Sequence, residues 1–348
     1  MSVRSLLRGC CLSLMLSLIL SGCGAAQPSA VTATPTTSPQ AGATVTAVAT
    51  TSIIADMVRN VGGERVNVRA LLPPGADPHT YAPTPGDVQA IAEAQIVFEN
   101  GLGLEAWLDE LIANAGGQRP RIVVSQGLEA LEGSDEHSHE HADEHADEHA
   151  TATPADEHAD EHADEHADEH AHAQDPHMWF DVQRAIGYVR TIREGLKQVD
   201  PAGAVLYDAN AERYIAELQQ LDQEIQQMVA QLPPERRKLV TNHDTFGYFA
   251  QRYGFEVVGT VFEGVSTEQE PSAQQVAALV ERIRATGVPA IFAENTVNPR
   301  LAEQIASEAG VEVVTTLYTD ALGEPGSPGE TYVKMMRYNT EQIVNALK

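Results

Sequence analysis

The chain has 348 residues, 43% of them hydrophobic, and a formal net charge of -28. That length and apolar content allow one large domain or two of ordinary size with a real core, which excludes a chain disordered throughout. Fifty acidic residues against 22 Lys and Arg exclude nucleic acid as a partner, because a phosphate backbone needs clustered cationic side chains.

Residues 1–23 read as an address. Arg4 and Arg8 supply a positive start, "CCLSLMLSLIL" an apolar stretch too short for a comfortable membrane span, and "LSGC" ends the segment at Leu20 to Cys23. The tetrapeptide resembles the lipobox of bacterial lipoproteins, which implies lipidation of Cys23 and an extracytoplasmic anchor on the cell membrane. An ordinary secretory signal or a single anchor helix is the alternative. All three cysteines (Cys10, Cys11 and Cys23) lie here, so a metal in the folded body has only imidazole and carboxylate to hold it. Residues 24–44 are Ala, Thr, Ser and Pro with almost nothing to bury, a flexible tether.

From Val45 the pattern alternates. "VTAVAT" predicts a strand, "SIIADMVRNVGG" a helix closed by Gly62 and Gly63, and "VNVRALL" a strand. A helix at 86–94, a strand at 95–100, a helix at 104–115 and a strand at 121–125 follow. Beyond the histidine-rich segment come helices at 182–198 and 203–231. The second carries Leu206, Tyr207, Tyr214, Leu218, Leu221, Ile225, Met228 and Leu232 at roughly helical spacing and stops at Pro233-Pro234. At ~40 Å it is long enough to reach from one domain to another. A second series then predicts strands at 238–242, 256–262, 289–294 and 311–317, with helices at 245–253, 272–286, 299–309 and from 329.

Short apolar strands separated by amphipathic helices predict an α/β protein of two lobes, each a mostly parallel sheet flanked by helices. The boundaries expected are an N-terminal lobe at 45–200, a connecting rigid helix at 201–232 and a C-terminal lobe at 233–348. Sites in such sheets lie at the carboxyl ends of strands.

The segment 132–174 interrupts the first lobe. It holds ten of the thirteen histidines and sixteen Asp or Glu without a Lys or Arg, and so carries -16 of the net charge. It has almost nothing apolar beyond alanine and reads as a disordered insertion. Histidines every fourth residue in the "DEHA" blocks predict several weak, exchangeable sites for divalent cations, chiefly Zn²⁺. A solubilising spacer or pH-sensitive charge buffer is the bland reading. A site on rigid elements would hold a cation more tightly, because it need not order a loop.

Three histidines remain: His79 in "LLPPGADPHTYAPTPGD", His177 in "QDPHMWFD" and His243 in "LVTNHDTFGYF". Each stands where a strand or a proline-stiffened turn delivers it to one end of a sheet. Three imidazoles and one carboxylate make a four-ligand Zn²⁺ site. Asp320 in "TTLYTDALG" fits the fourth place, with Glu294 in "IFAEN" the competitor.

At these stretches, together with "EGVSTEQEPSAQQ" and "IFAENTVNPRLAEQIASEAGV", the chain resembles the ZnuA-like (TroA-like) family, the zinc or manganese substrate-binding lipoproteins of bacterial ABC transporters. The likeness runs in order over residues 45–347. It implies metal ligands at His79, His177, His243 and Asp320, a membrane permease with a cytoplasmic ATPase as partner, a lipid anchor and a monomer. Manganese-handling relatives commonly carry glutamate at the third ligand position. His243 there shifts the expectation towards Zn²⁺ as transported ligand, with Mn²⁺ or Fe²⁺ the alternative.

A zinc hydrolase using three histidines, a water and Glu294 as base is the competing class, although the chain lacks HExxH. A metal-binding surface adhesin is another. Trp179 and Phe180 read as core at a helix start rather than a wall of the site. Asp77 and Asp244 read either as acceptors for ligand imidazoles or as turn residues.

Overall fold

The computed structural model describes residues 44–133 and 174–348. The expected leader, tether and histidine-rich insertion therefore lie outside the described residues, save for Thr44, Glu132, Gly133 and Gln174 at their margins.

The first lobe alternates β1 (Val45–Ala49), α1 (Ser52–Gly62), β2 (Val66–Ala70), α2 (Pro85–Glu93), β3 (Ile96–Glu99), α3 (Leu108–Ala115) and β4 (Arg121–Val123). Two helices follow, α4 (Val182–Val199) and α5 (Ala204–Val229). The second lobe runs β5 (Lys238–Thr241), α6 (Gly247–Tyr253), β6 (Glu256–Thr260), α7 (Ala273–Thr286), β7 (Ala290–Glu294), α8 (Arg300–Ala309), β8 (Glu312–Leu317) and α9 (Tyr332–Leu347). Both sheets are parallel and share one topology, β2-β1-β3-β4 and β6-β5-β7-β8. Parallel neighbours cannot be joined by a tight turn, so helices cross over between them and cover both faces.

The expected element types all form; three helix starts differ by two residues or more, the last helix beginning at Tyr332 rather than 329. The segment predicted helical from 104 begins its helix at Leu108, because Gly101, Leu102 and Gly103 hold φ of 83°, 58° and 81° and turn the chain. The helix expected from 245 begins at Gly247.

Helix α5 spans 26 residues, about 39 Å of rise. Tyr207, Ala211, Tyr214, Leu218, Leu221, Ile225 and Val229 bury one stripe of it, while Leu206, expected in that stripe, is 42% exposed. The stripe packs on α1, α4 and α9, so a single apolar core runs through both lobes. Separate cores lie under α2 and α3 on the outer face of the first sheet and under α7 and α8 on that of the second. Lobes sharing a core can slide only by repacking it, which argues against wide hinge motion. Among the described residues no helix is long and apolar enough to cross a membrane.

Candidate metal centre

The carboxyl ends of the two sheets face a common groove, and the expected residues meet there. His79 lies in the loop after β2, His243 directly after β5 and Asp320 three residues after β8. His177 caps the 3-10 turn Met178–Phe180, which leads into α4. One donor atom from each of the four lies within 4.8 Å of every other. His177, His243 and Asp320 are fully buried, and His79 is half-buried at the rim.

The donors form a ring. Nε2 of His177 is 3.4 Å from Nε2 of His79, 3.3 Å from Nε2 of His243 and 3.4 Å from Oδ1 of Asp320. Asp320 Oδ2 is 3.4 Å from His243 Nε2. A tetrahedron with metal–ligand bonds of about 2.0–2.1 Å has edges of about 3.3–3.4 Å. The neighbouring separations match such an edge and all four donors lie within 4.8 Å of one another, a cluster consistent with a divalent cation. Neither oxygen of Asp320 accepts a hydrogen bond, so the carboxylate is free to bind through one oxygen or both. A buried, unpaired carboxylate is costly unless a cation faces it.

What surrounds the ring sets which ring nitrogen carries the proton. Asp175 Oδ1 accepts from the backbone N–H of His177 and lies 2.8 Å from its Nδ1, leaving the Nε2 lone pair for the ring. Glu294 sits in the corresponding place beside His243. Its Oε1 accepts the backbone N–H of Asn242 and His243, and its Oε2 accepts the Thr319 hydroxyl and lies 2.8 Å from His243 Nδ1, off-line for a hydrogen bond. Glu294 is thus turned away from the ring and occupied on both oxygens. Glu294 faces the Nδ1 side of His243, and Asp320 is the carboxylate that lies in the cluster.

Burial, then the neighbouring imidazoles, pushes His79 down to about 2. Burial, then His243, drives His177 well below the usual histidine range. Burial opposes the charge on His243 as well, but Glu294 and Asp320 outweigh it and lift that group to about 10. Burial raises Asp320 to about 7 against the pull of His243. Two ring histidines are therefore neutral at pH 7, and the His243–Asp320 pair keeps protons that a cation must displace.

The loops are braced across the groove. The Trp179 indole donates to Thr319 O at 3.1 Å, one residue before Asp320, and its ring meets His177 edge-on at 5.3 Å. Trp179 is core, as expected, and also ties the His177 turn to the loop before Asp320 in the other lobe. Phe180 packs on Phe246 at 4.5 Å. Asn295 accepts from Thr319 N and donates to Ala321 O, and Asn339 of α9 clasps both backbone polar groups of Tyr318. Asp77 is a turn residue: Oδ1 accepts from His79 N, and Oδ2 accepts from the hydroxyls of Thr80 and Thr267, the latter from the other lobe. The backbone N–H of Asp244 donates to Gly264 O. Asp175 and Asn295 escaped the sequence reading. For Asp175 the signal is the repeated Asp-Pro-His, where the carboxylate two residues ahead takes the histidine N–H.

Residues 47–346 match the ZnuA family, described as the periplasmic component A of a zinc-uptake complex. The chain belongs to the ZnuA family. It is 33% identical over 336 residues to the manganese-binding lipoprotein MntA of Halalkalibacterium halodurans, covering 96% of each chain. It is 30% identical over 308 residues to the manganese ABC transporter substrate-binding lipoprotein PsaA of Streptococcus mitis, covering 86% of this chain and 88% of that one. Among solved structures it resembles the periplasmic zinc-binding protein TroA of Treponema pallidum, with a TM-score of 0.72, 32% identity, and coverage of 87% of this chain and 99% of the other. ZnuA-family proteins are transport components, which sets aside the hydrolase reading.

Replacing Glu294 by Gln keeps an acceptor for the two backbone N–H groups but removes the charge opposite His243. Metal affinity, measured by calorimetry, is expected to fall about 10- to 100-fold. An unchanged affinity would deny Glu294 its orienting role.

Proposed function

We propose that His79, His177, His243 and Asp320 bind the cation that this ZnuA-family protein captures outside the cytoplasm, and that its cargo is Mn²⁺. As a family member the chain collects a divalent metal and delivers it to the membrane permease of an ABC system, whose ATPase supplies the energy. A lipid anchor at Cys23 would keep it beside that permease. The observation that carries the reading is the buried ring of three imidazoles and one carboxylate between two lobes, with neighbouring donors 3.3–3.4 Å apart and all four within 4.8 Å.

The third imidazole predicts zinc, whereas MntA of Halalkalibacterium halodurans and PsaA of Streptococcus mitis are described as manganese proteins and support the alternative weighed in the sequence. Two free oxygens on Asp320 support it, since binding through both adds a hard fifth donor. Zinc is the second reading, favoured by the third imidazole, by the zinc-uptake description of the family and by the zinc-binding TroA. Any such nitrogen and oxygen site holds Zn²⁺ more tightly than Mn²⁺ at equal concentration. Affinity in the test tube therefore does not choose the cargo.

Uptake does. In cells lacking the gene, accumulation of labelled Mn²⁺ is expected to fall several-fold and that of Zn²⁺ to change little. A loss of Zn²⁺ uptake alone would transfer the cargo to zinc, and no change in either would remove the capture role. Complementation with a chain lacking 132–174 is expected to restore uptake, because the ring lies on the rigid lobes. Purified, the shortened chain should keep one tight site and lose the weak ones.

A further inference from the structure

The peptide that carries His177 is held from both lobes at once. Within its own lobe, Asn100 Nδ2 donates to Pro176 O at 2.9 Å. From the other lobe, the Tyr248 hydroxyl donates to Asp175 O at 2.8 Å and accepts the N–H of Leu131 at 3.0 Å. Tyr248 is the second residue of α6, five positions beyond His243, and is fully buried. Its ring lies under the Arg184 guanidinium of α4, 4.8 Å from the centroid, which fixes the phenol from the side. The residue before it has no side chain for a reason visible in the packing. A Cβ on Gly247 would stand 2.8 Å from Asp175 Oδ2, on the carboxylate that holds His177.

We propose that Tyr248 is a positioning residue that locks His177 in register with His243 across the groove. The inference rests on the ring as the metal site. Asp175 grips His177 through its backbone N–H and Nδ1. Tyr248 grips Asp175 through the adjoining carbonyl, and rides on the helix that His243 leads into. The two buried imidazoles thus form one preset pair, ahead of any cation. A ring set beforehand loses less entropy on binding, and a displacement of half an ångström spoils its bond lengths.

The test is Tyr248→Phe in the full chain, read with Co²⁺ as probe. The variant removes both hydrogen bonds and keeps the ring and its cation contact. Affinity for Co²⁺ is expected to fall about tenfold, and the visible d–d bands, which report the ligand set and its geometry, to shift or weaken. Gly247→Ala, with the phenol intact, should disturb the same bands by pressing on Asp175. The control is Tyr253→Phe, which loses a buried 2.9 Å hydrogen bond to Asp222 from the same helix but touches no ligand loop. Its spectrum should match the wild type even if its melting temperature drops. Wild-type affinity and bands in Tyr248→Phe, or an equal change in Tyr253→Phe, would overturn the role of Tyr248. If the wild-type chain itself gives no bands, or His243→Ala leaves them intact, the ring is not the metal site.

Discussion

Replacing His243 or His177 by alanine is expected to lower metal affinity by more than about a hundredfold, whereas His79→Ala should cost only about tenfold. The order follows from burial. Loss of a ligand generally costs more than loss of the group that orients it, which already reaches 10- to 100-fold. His177 and His243 are fully enclosed, so water reaches the vacated position poorly, and each variant also leaves a buried carboxylate, Asp175 or Glu294, without the imidazole it faces. His79 is only partly buried, at the rim beside a cavity lined by Leu102, Gly103 and Ser266, and water can take its place. Competition against a chelator of known affinity, with melting of the metal-free variants as a check on folding, measures all three. Equal losses at the three positions would show that burial does not rank the ligands.

How far this site could be read from the sequence depends on the residue. The three histidines were legible because the folded body has no others, and because Asp-Pro-His occurs twice. The strands were legible because buried parallel strands are short continuous apolar runs, such as "QIVFEN" and "PAIFAE", with Gly or Pro close by. Asp320 and Glu294 could not be separated in this way. Both are carboxylates at the end of a strand, and the choice depends on a register shift between Phe292 and Glu294 and on the Thr319 hydroxyl and two N–H groups that occupy Glu294. Those partners come from 25 or more residues away, where no local pattern points to them. The early start assigned to α3 has a local cause instead. Glu105, read as a helical residue, turns back to accept the N–H groups of Asn100 and Gly101, closing a loop where a helix was expected.

Metal affinity is expected to keep rising with pH well above the range in which ordinary histidines titrate. An imidazole near its usual value of about 6.5 stops competing with a cation above about pH 7.5, and the binding curve then levels. In this ring the burden falls unevenly. His79 and His177 are pushed down by burial and their neighbours, so they bind no proton at neutral pH and add nothing to the slope. His243, held up to about 10 because Glu294 and Asp320 outweigh its burial, would as a ligand lose a proton when a cation binds below that point. Asp320, raised to about 7 by burial, adds a second proton at lower pH. A group whose value in the free protein lies above the ambient pH releases its proton on binding, and each proton released makes affinity climb about tenfold per pH unit. The apparent association constant should therefore rise about tenfold per unit between pH 7 and 9, and more steeply below 7. Calorimetry in buffers of different ionisation enthalpy, run at pH 6, 7.5 and 9, counts the protons directly. Near two released at pH 6 and near one at pH 7.5 and 9 is the expected result. A flat affinity from pH 7.5 to 9, with no proton released, would mean that His243 is neutral in the free protein and that its two carboxylate neighbours do not hold its charge.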